Sequence, residues 1–174
     1  MRGLSVTLTL LPLILHVCGA CPDGWHSFHS GGQCFKVFHE SFISWKDAQN
    51  RCQTAGSVLA QVPDHSTHTH LIDLINQISS DHNSDFFLIG ANNWVGSWTW
   101  TYFDSPLTFS HSYWLSGQPD NYCRPGQTWC EGQHCLAYTH KQSDHWGWDD
   151  INCSHHGYDY YICEKSADGG PLVG

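Results

Sequence analysis

The chain has 174 residues, with seven Lys and Arg against sixteen Asp and Glu, fourteen His and nine Cys. Its formal net charge of −9 argues against nucleic acid and anionic membranes as partners, because both need a basic face. The length suits one domain with a sizeable core.

Arg2, the apolar run from Leu4 to Val17 and the small residues Gly19-Ala20 have the order of a secretory signal peptide cut after Ala20. The run is shorter than the ~20 residues a spanning helix needs, and Pro12 interrupts it, so no membrane insertion is expected. Residues 1–20 therefore read as a signal peptide, 21–165 as one domain and 166–174 as a flexible C-terminal tail. Eight cysteines remain after Cys18 is removed: Cys21, Cys34, Cys52, Cys123, Cys130, Cys135, Cys153 and Cys163. An even number in a secreted, extracellular chain reads as four disulfides, and no C-x-x-C pair suggests a metal cluster instead.

Aromatic residues from Trp25 to Phe38 around Gly31-Gly32 predict a hairpin that Cys21 and Cys34 are placed to staple. Ser44 is a predicted N-cap for a helix with Trp45, Ala48 and Cys52 on one face. A second helix is expected after Pro63-Asp64, with Leu71, Leu74, Ile75 and Ile78 on its apolar side. Strands are predicted at Phe86–Gly90, Trp98–Tyr102, Leu136–Thr139 and Tyr158–Cys163. Between Tyr113 and Trp146 the chain is rich in Gly, Pro, Gln, Asn, Asp and Cys, the composition of a long functional loop.

Acids crowd into Asp120 to Asp150, which suits a hard cation. Gln118-Pro119-Asp120 offers an amide oxygen and a carboxylate, and Trp148-Asp149-Asp150 offers two more carboxylates. A cis bond at Pro119 would turn the neighbouring side chains towards one point. Fourteen histidines without an H-E-x-x-H spacing read as surface residues rather than a zinc site. Asn152-Cys153-Ser154 matches a glycosylation acceptor, though a bridged Cys153 argues for low occupancy. No nucleophile motif is present, so an enzyme is not expected.

Several landmarks occur in one order. They are Cys21-Pro22-x-Gly24-Trp25, Trp45-x-x-Ala48 with Cys52, Ile89-Gly90, Trp98-x-Trp100, Trp114, and Gln118-Pro119-Asp120. Cys135, Trp148-Asp149-Asp150, Cys153 and Cys163-Glu164 complete the series. In these the chain resembles the long form of the C-type lectin-like domain from Cys21 to Glu164. The resemblance implies an α+β fold, with two small antiparallel sheets flanked by two helices and a long calcium-binding loop. It also implies the pairs Cys21–Cys34, Cys52–Cys163 and Cys135–Cys153, leaving Cys123–Cys130 to staple the loop.

The implied calcium ligands are Gln118, Asp120, Asp149 and Asp150. The family's remaining glutamate falls at Gln133 here, and Glu131 is the expected substitute. One calcium is expected, because the acids of the auxiliary site are replaced by Asn93 and Ser97. Gln118, Asp120 and Asp149 would also contact sugar, with Tyr122 or Trp129 stacking on its apolar face and Trp146 as an alternative. Asp149 stands where the family has asparagine and cannot donate a hydrogen bond. Gln-Pro-Asp resembles the motif of galactose and N-acetylgalactosamine binders. Galactose-type glycans on glycoproteins or microbial surfaces are therefore the expected partners, with a homo-oligomer supplying avidity. The other expectation is a relative that binds ice, mineral or protein through the same loop. Expressed with its leader in secretory cells, the protein should be recovered from the medium beginning at Cys21, read by intact mass; a product beginning at Met1 would contradict the leader.

Overall fold

The structure is a computed structural model that describes residues 20–28, 32–78, 86–107, 113–123, 131–140, 145–168 and 172. The elements in order are β1 (His26–Phe28), β2 (Gln33–Ile43), α1 (Trp45–Thr54), β3 (Val58–Leu59) and α2 (His65–Ile78). They continue with β4 (Phe86–Asn92), β5 (Thr99–Trp100), β6 (Ser105–Pro106), β7 (Cys135–Thr139), β8 (Gly147–Ile151) and β9 (Tyr158–Ser166).

Both helices start where their caps place them. The Ser44 hydroxyl accepts from the Asp47 amide at 3.1 Å, and the Asp64 carboxylate accepts from the Thr67 amide at 2.8 Å. Helix α1 buries Trp45, Ala48 and Cys52 as their spacing requires. Helix α2 buries Leu71, Leu74 and Ile75, but Ile78, expected beside them, is 43% exposed at the helix end.

Strand β2 pairs antiparallel with β9, the last strand, with β1 on β2 and β3 on β9. A second antiparallel group joins β4 to β5 and β7, β5 to β6, and β7 to β8. The expected α+β fold is thus present, and a short parallel pairing of Phe87 and Leu88 with Tyr160 and Tyr161 links the two groups into one mixed sheet. Successive residues of β4 face opposite sides. Phe87, Ile89 and Ala91 enter a core with Leu71, Trp100 and Trp148, while Leu88 enters one with Trp45, Ala137 and Ile151. Gly90 lets β3 come close, because a Cβ there would collide with the Leu59 carbonyl. The alternating strand expected from Trp98 to Tyr102 is only two residues long, since the chain turns at Thr101.

Three disulfides match the implied pairing: Cys21–Cys34, Cys52–Cys163 and Cys135–Cys153. The second closes 111 residues, which a chain-entropy model values at ~4–5 kcal/mol. Cys123 is disulfide-bonded, and its expected partner Cys130 lies outside the described residues. So do residues 1–19 and most of 166–174; β9 reaches Ser166, and the Ala167 amide donates to the Gly32 carbonyl. Among the described residues no helix is long and apolar enough to cross a membrane.

Glu164 is fully enclosed, and burial pushes its carboxyl up to about 8 despite a hydrogen bond from Gln61. A raised carboxyl favours folding while it stays protonated, so this stabilisation is lost as pH climbs from the unfolded value of ~4.3 towards 8. Glu164→Gln should therefore raise stability at pH 7 by ~2 kcal/mol and leave it unchanged at pH 4, read by urea unfolding. An equal gain at both pH values would place the effect elsewhere.

Candidate functional site

Trp148-Asp149-Asp150 lies in the middle of β8, paired with Tyr138, Ala137 and Leu136 of β7. The Trp148 ring packs edge-on against Trp100, Tyr113 and Trp114. Its backbone holds the start of the long loop: the Trp148 amide donates to the Tyr113 carbonyl at 2.6 Å, and the Leu115 amide donates to the Trp148 carbonyl at 3.0 Å. The next turn is closed by the Gln118 amide on the Leu115 carbonyl, with Gly117 at φ 87°. The Gln118–Pro119 peptide bond that follows is cis.

Asp150 then reaches the loop thirty residues earlier in the chain. One carboxylate oxygen accepts the Asp120 amide at 2.9 Å, and the other accepts the Asn121 amide at 2.7 Å. The Tyr122 amide donates to Asp120 Oδ1 at 3.0 Å and to Gln133 Oε1 at 2.6 Å. Asn121, at φ 47°, accepts the Gln133 amide on its side-chain oxygen at 2.7 Å. Gly132 makes that approach possible, since a Cβ there would lie 2.6 Å from Asn121 Oδ1.

Asp150 is 1% exposed, and burial raises its carboxyl above the ordinary carboxylate value; the amides of Asp120 and Asn121 oppose the rise, and the Asp120 charge adds to it. The Gln118 side-chain oxygen is buried and accepts no hydrogen bond. A buried amide oxygen without a donor, two residues before a carboxylate whose own backbone is held by a second, fits a hard cation. Among the described residues no group of three or more His, Cys, Asp or Glu side chains could hold a metal, so a cation here would depend on amide and main-chain oxygens as well.

The structure ties Asp120 and Asp150 together, with Tyr122 bonded to Asp120, in the turn that follows Gln118, and sets two expected residues apart. Asp149 alternates to the opposite face of β8 from Asp150, where the Tyr158 hydroxyl feels its charge. Glu131 is exposed and lines a separate cleft with Trp94 and His134, whereas Gln133 is the residue that joins the loop cluster. Trp129 lies outside the described residues. Trp146 is a core residue whose indole donates to Asn76, so it offers no sugar platform. Tyr122 is 55% exposed and available.

Two features went unread in the sequence. Asn121 organises the loop through its backbone amide and its side chain, and a polar residue that tolerates positive φ directly after Gln-Pro-Asp was the available signal. Not all histidines are surface residues. The His68 ring stacks on Tyr113 at 3.9 Å and meets the Tyr138 hydroxyl at 2.7 Å. Burial, then His65 and His145, push its pKa down to about 4.

A two-helix α+β fold, cross-linked end to end and carrying a long loop pinned by a buried carboxylate, defines the C-type lectin-like class. The family model of the lectin C-type domain matches residues 41–165, and the chain belongs to this family. It is 27% identical over 134 residues to human C-type lectin domain family 4 member C, covering 76% of this chain and 54% of that relative. The chain thus spans about half the length of that curated relative. Among solved structures, the C-type lectin domain of murine dendritic cell inhibitory receptor 2 in complex with N-glycan matches with TM-score 0.63 at 24% identity, over 84% of this chain and 99% of that one. A calcium-independent type II antifreeze protein matches with TM-score 0.61 at 22% identity, over 87% and 98%. At these identities the structural matches establish the fold.

Hydrogen bonds to a charged acceptor contribute ~1.5–3 kcal/mol each. Asp150→Asn should therefore speed hydrogen exchange at the Asp120 and Asn121 amides by roughly 10–100-fold. Unchanged exchange at both amides would show that the carboxylate does not hold the loop.

Proposed function

We propose that the chain is a secreted, calcium-dependent lectin that binds terminal galactose or N-acetylgalactosamine. The observation that carries this reading is the buried, unpartnered Gln118 carbonyl oxygen two residues before Asp120, whose backbone amide is held by the Asp150 carboxylate. Gln118, Asp120 and Asp150 are the proposed calcium ligands, with Gln133 at the edge of the cluster. When bound, the ion would supply open coordination positions for two adjacent sugar hydroxyls. The protein's own groups do the rest. The Gln118 amide nitrogen donates to one hydroxyl and the Asp120 carboxylate accepts from the other, and this order of amide and acid selects the diol orientation. The exposed Tyr122 ring offers a flat apolar face for the sugar's C–H side. Galactose-bearing glycoproteins or microbial surfaces are the proposed partners, and self-association would convert a weak single site into avidity. The murine domain solved with an N-glycan supports a glycan ligand on this fold.

A second reading, a non-sugar ligand such as ice, mineral or a protein surface, is favoured by the loop's direct hydrogen bonds, which tie its backbone to Asp150, Gln133 and Asn121. The likeness to a calcium-independent antifreeze protein supports it. Immobilised galactose separates the two. The lectin should be retained with calcium and eluted both by chelator and by free galactose; passage straight through would leave the second reading. Gln118→Glu combined with Asp120→Asn should move preference from galactose to mannose on a glycan array, and an unchanged profile would contradict the roles given to these residues.

A further inference from the structure

The segment from Glu131 to His134 is a wall with two sides. Gln133 faces the loop cluster through the Tyr122 amide, while Glu131, Gly132 and His134 line a cleft of about 210 Å³ that also takes in Lys46, Trp94 and Asn152. The wall is fixed on both sides. Asn152 Nδ2 donates to the Gly132 carbonyl at 3.2 Å, and the Ser154 amide donates to Asn152 Oδ1 at 2.8 Å, so both ends of the Asn152 amide are held. The His134 ring meets Asn93 Oδ1 through Nδ1 at 2.7 Å. An oxygen partner requires Nδ1–H to donate, which in the neutral ring leaves Nε2 as an acceptor. Gly132 keeps that nitrogen accessible, since a Cβ there would lie 2.9 Å from it.

The groups left over have a definite chemistry. The Glu131 carboxylate makes no hydrogen bond or ion pair among the described residues. Lys46 spends one N–H on the Ser154 hydroxyl and keeps two donors. Trp94 is 52% exposed, and its ring is propped edge-on by the buried Trp45 at 5.7 Å between centroids. One carboxylate, one ammonium, one imidazole acceptor and a braced aromatic face suit a neutral polyhydroxylated ring. An extended anion would meet Glu131, and an apolar ligand would strand three polar groups. Sites for drug-sized ligands run to roughly 300–1,000 Å³, so this cleft holds one ring and not a chain.

We propose that this cleft is a second saccharide subsite, taking a neighbouring pyranose of an oligosaccharide whose terminal galactose sits at the loop. The inference deepens the lectin reading and rests on it for the position of the first sugar. The subsite itself uses no cation, which makes the two separable by experiment.

The test follows the Trp94 indole N–H by NMR while methyl β-galactoside, lactose and a galactose-terminated trisaccharide are titrated, in calcium and again in chelator. The trisaccharide should shift that resonance in calcium and bind about tenfold tighter than methyl β-galactoside. Trp94→Ala and Lys46→Gln should each remove that advantage while leaving the dissociation constant for methyl β-galactoside within about twofold. In chelator, at millimolar sugar, the resonance should still move with the trisaccharide. A resonance indifferent to every saccharide, or variants that weaken mono- and trisaccharide equally, would overturn the subsite. Trp94 shifts without any binding of methyl β-galactoside would overturn the galactose reading and leave the cleft standing.

Discussion

The Asp150 carboxylate, buried in a strand and spread across two backbone amides of the loop, is the interaction on which the rest of the site depends. A loop this long costs entropy to order, and its backbone groups need partners. Asp150 supplies one oxygen each to residues thirty and twenty-nine positions earlier. The chain between them is further tied by Asn121 to Gln133 and by the disulfide at Cys123. Burying that charge is unfavourable, and two amide donors compensate only in part, as the raised carboxyl shows. The site is therefore built around negative charge that a divalent ion would relieve.

Packing delivers this carboxylate to its place. Trp148 is fully buried among Trp100, Tyr113 and Trp114, and its backbone exchanges hydrogen bonds with the incoming loop at Tyr113 and Leu115. Strand alternation then puts Asp150 on the loop side and Asp149 on the other. Stability of the aromatic core and geometry of the site are one problem. A change that loosens Trp148 would move Asp150 without touching it.

The parts governed by local rules could be read from the residues alone. Ser44 and Asp64 cap the helices, Trp45, Ala48 and Cys52 repeat at helical spacing, and the Gly-flanked aromatic segment pairs as a hairpin. Strand β8 was hidden because its two acids mask the alternation that Trp148 and Ile151 would otherwise show. Ile78 carried the right periodicity, but the helix ends there. Glu131 was the obvious acid to complete the cluster. Residue type could not reveal that Gly132 and the Asn121–Gln133 contact turn the wall so that Gln133 faces the loop and Glu131 the cleft. His68 looked like one of many solvated histidines, and only the approach of β7 and Tyr113 buries it.

Calorimetric titration of calcium into the metal-stripped protein asks, without any sugar, whether the loop's oxygen donors form a cation site. A cation site there should give a saturable heat with one ion per chain, lost in Gln118→Ala while the fold persists by near-UV circular dichroism. No heat, or a heat that survives Gln118→Ala undiminished, would contradict it.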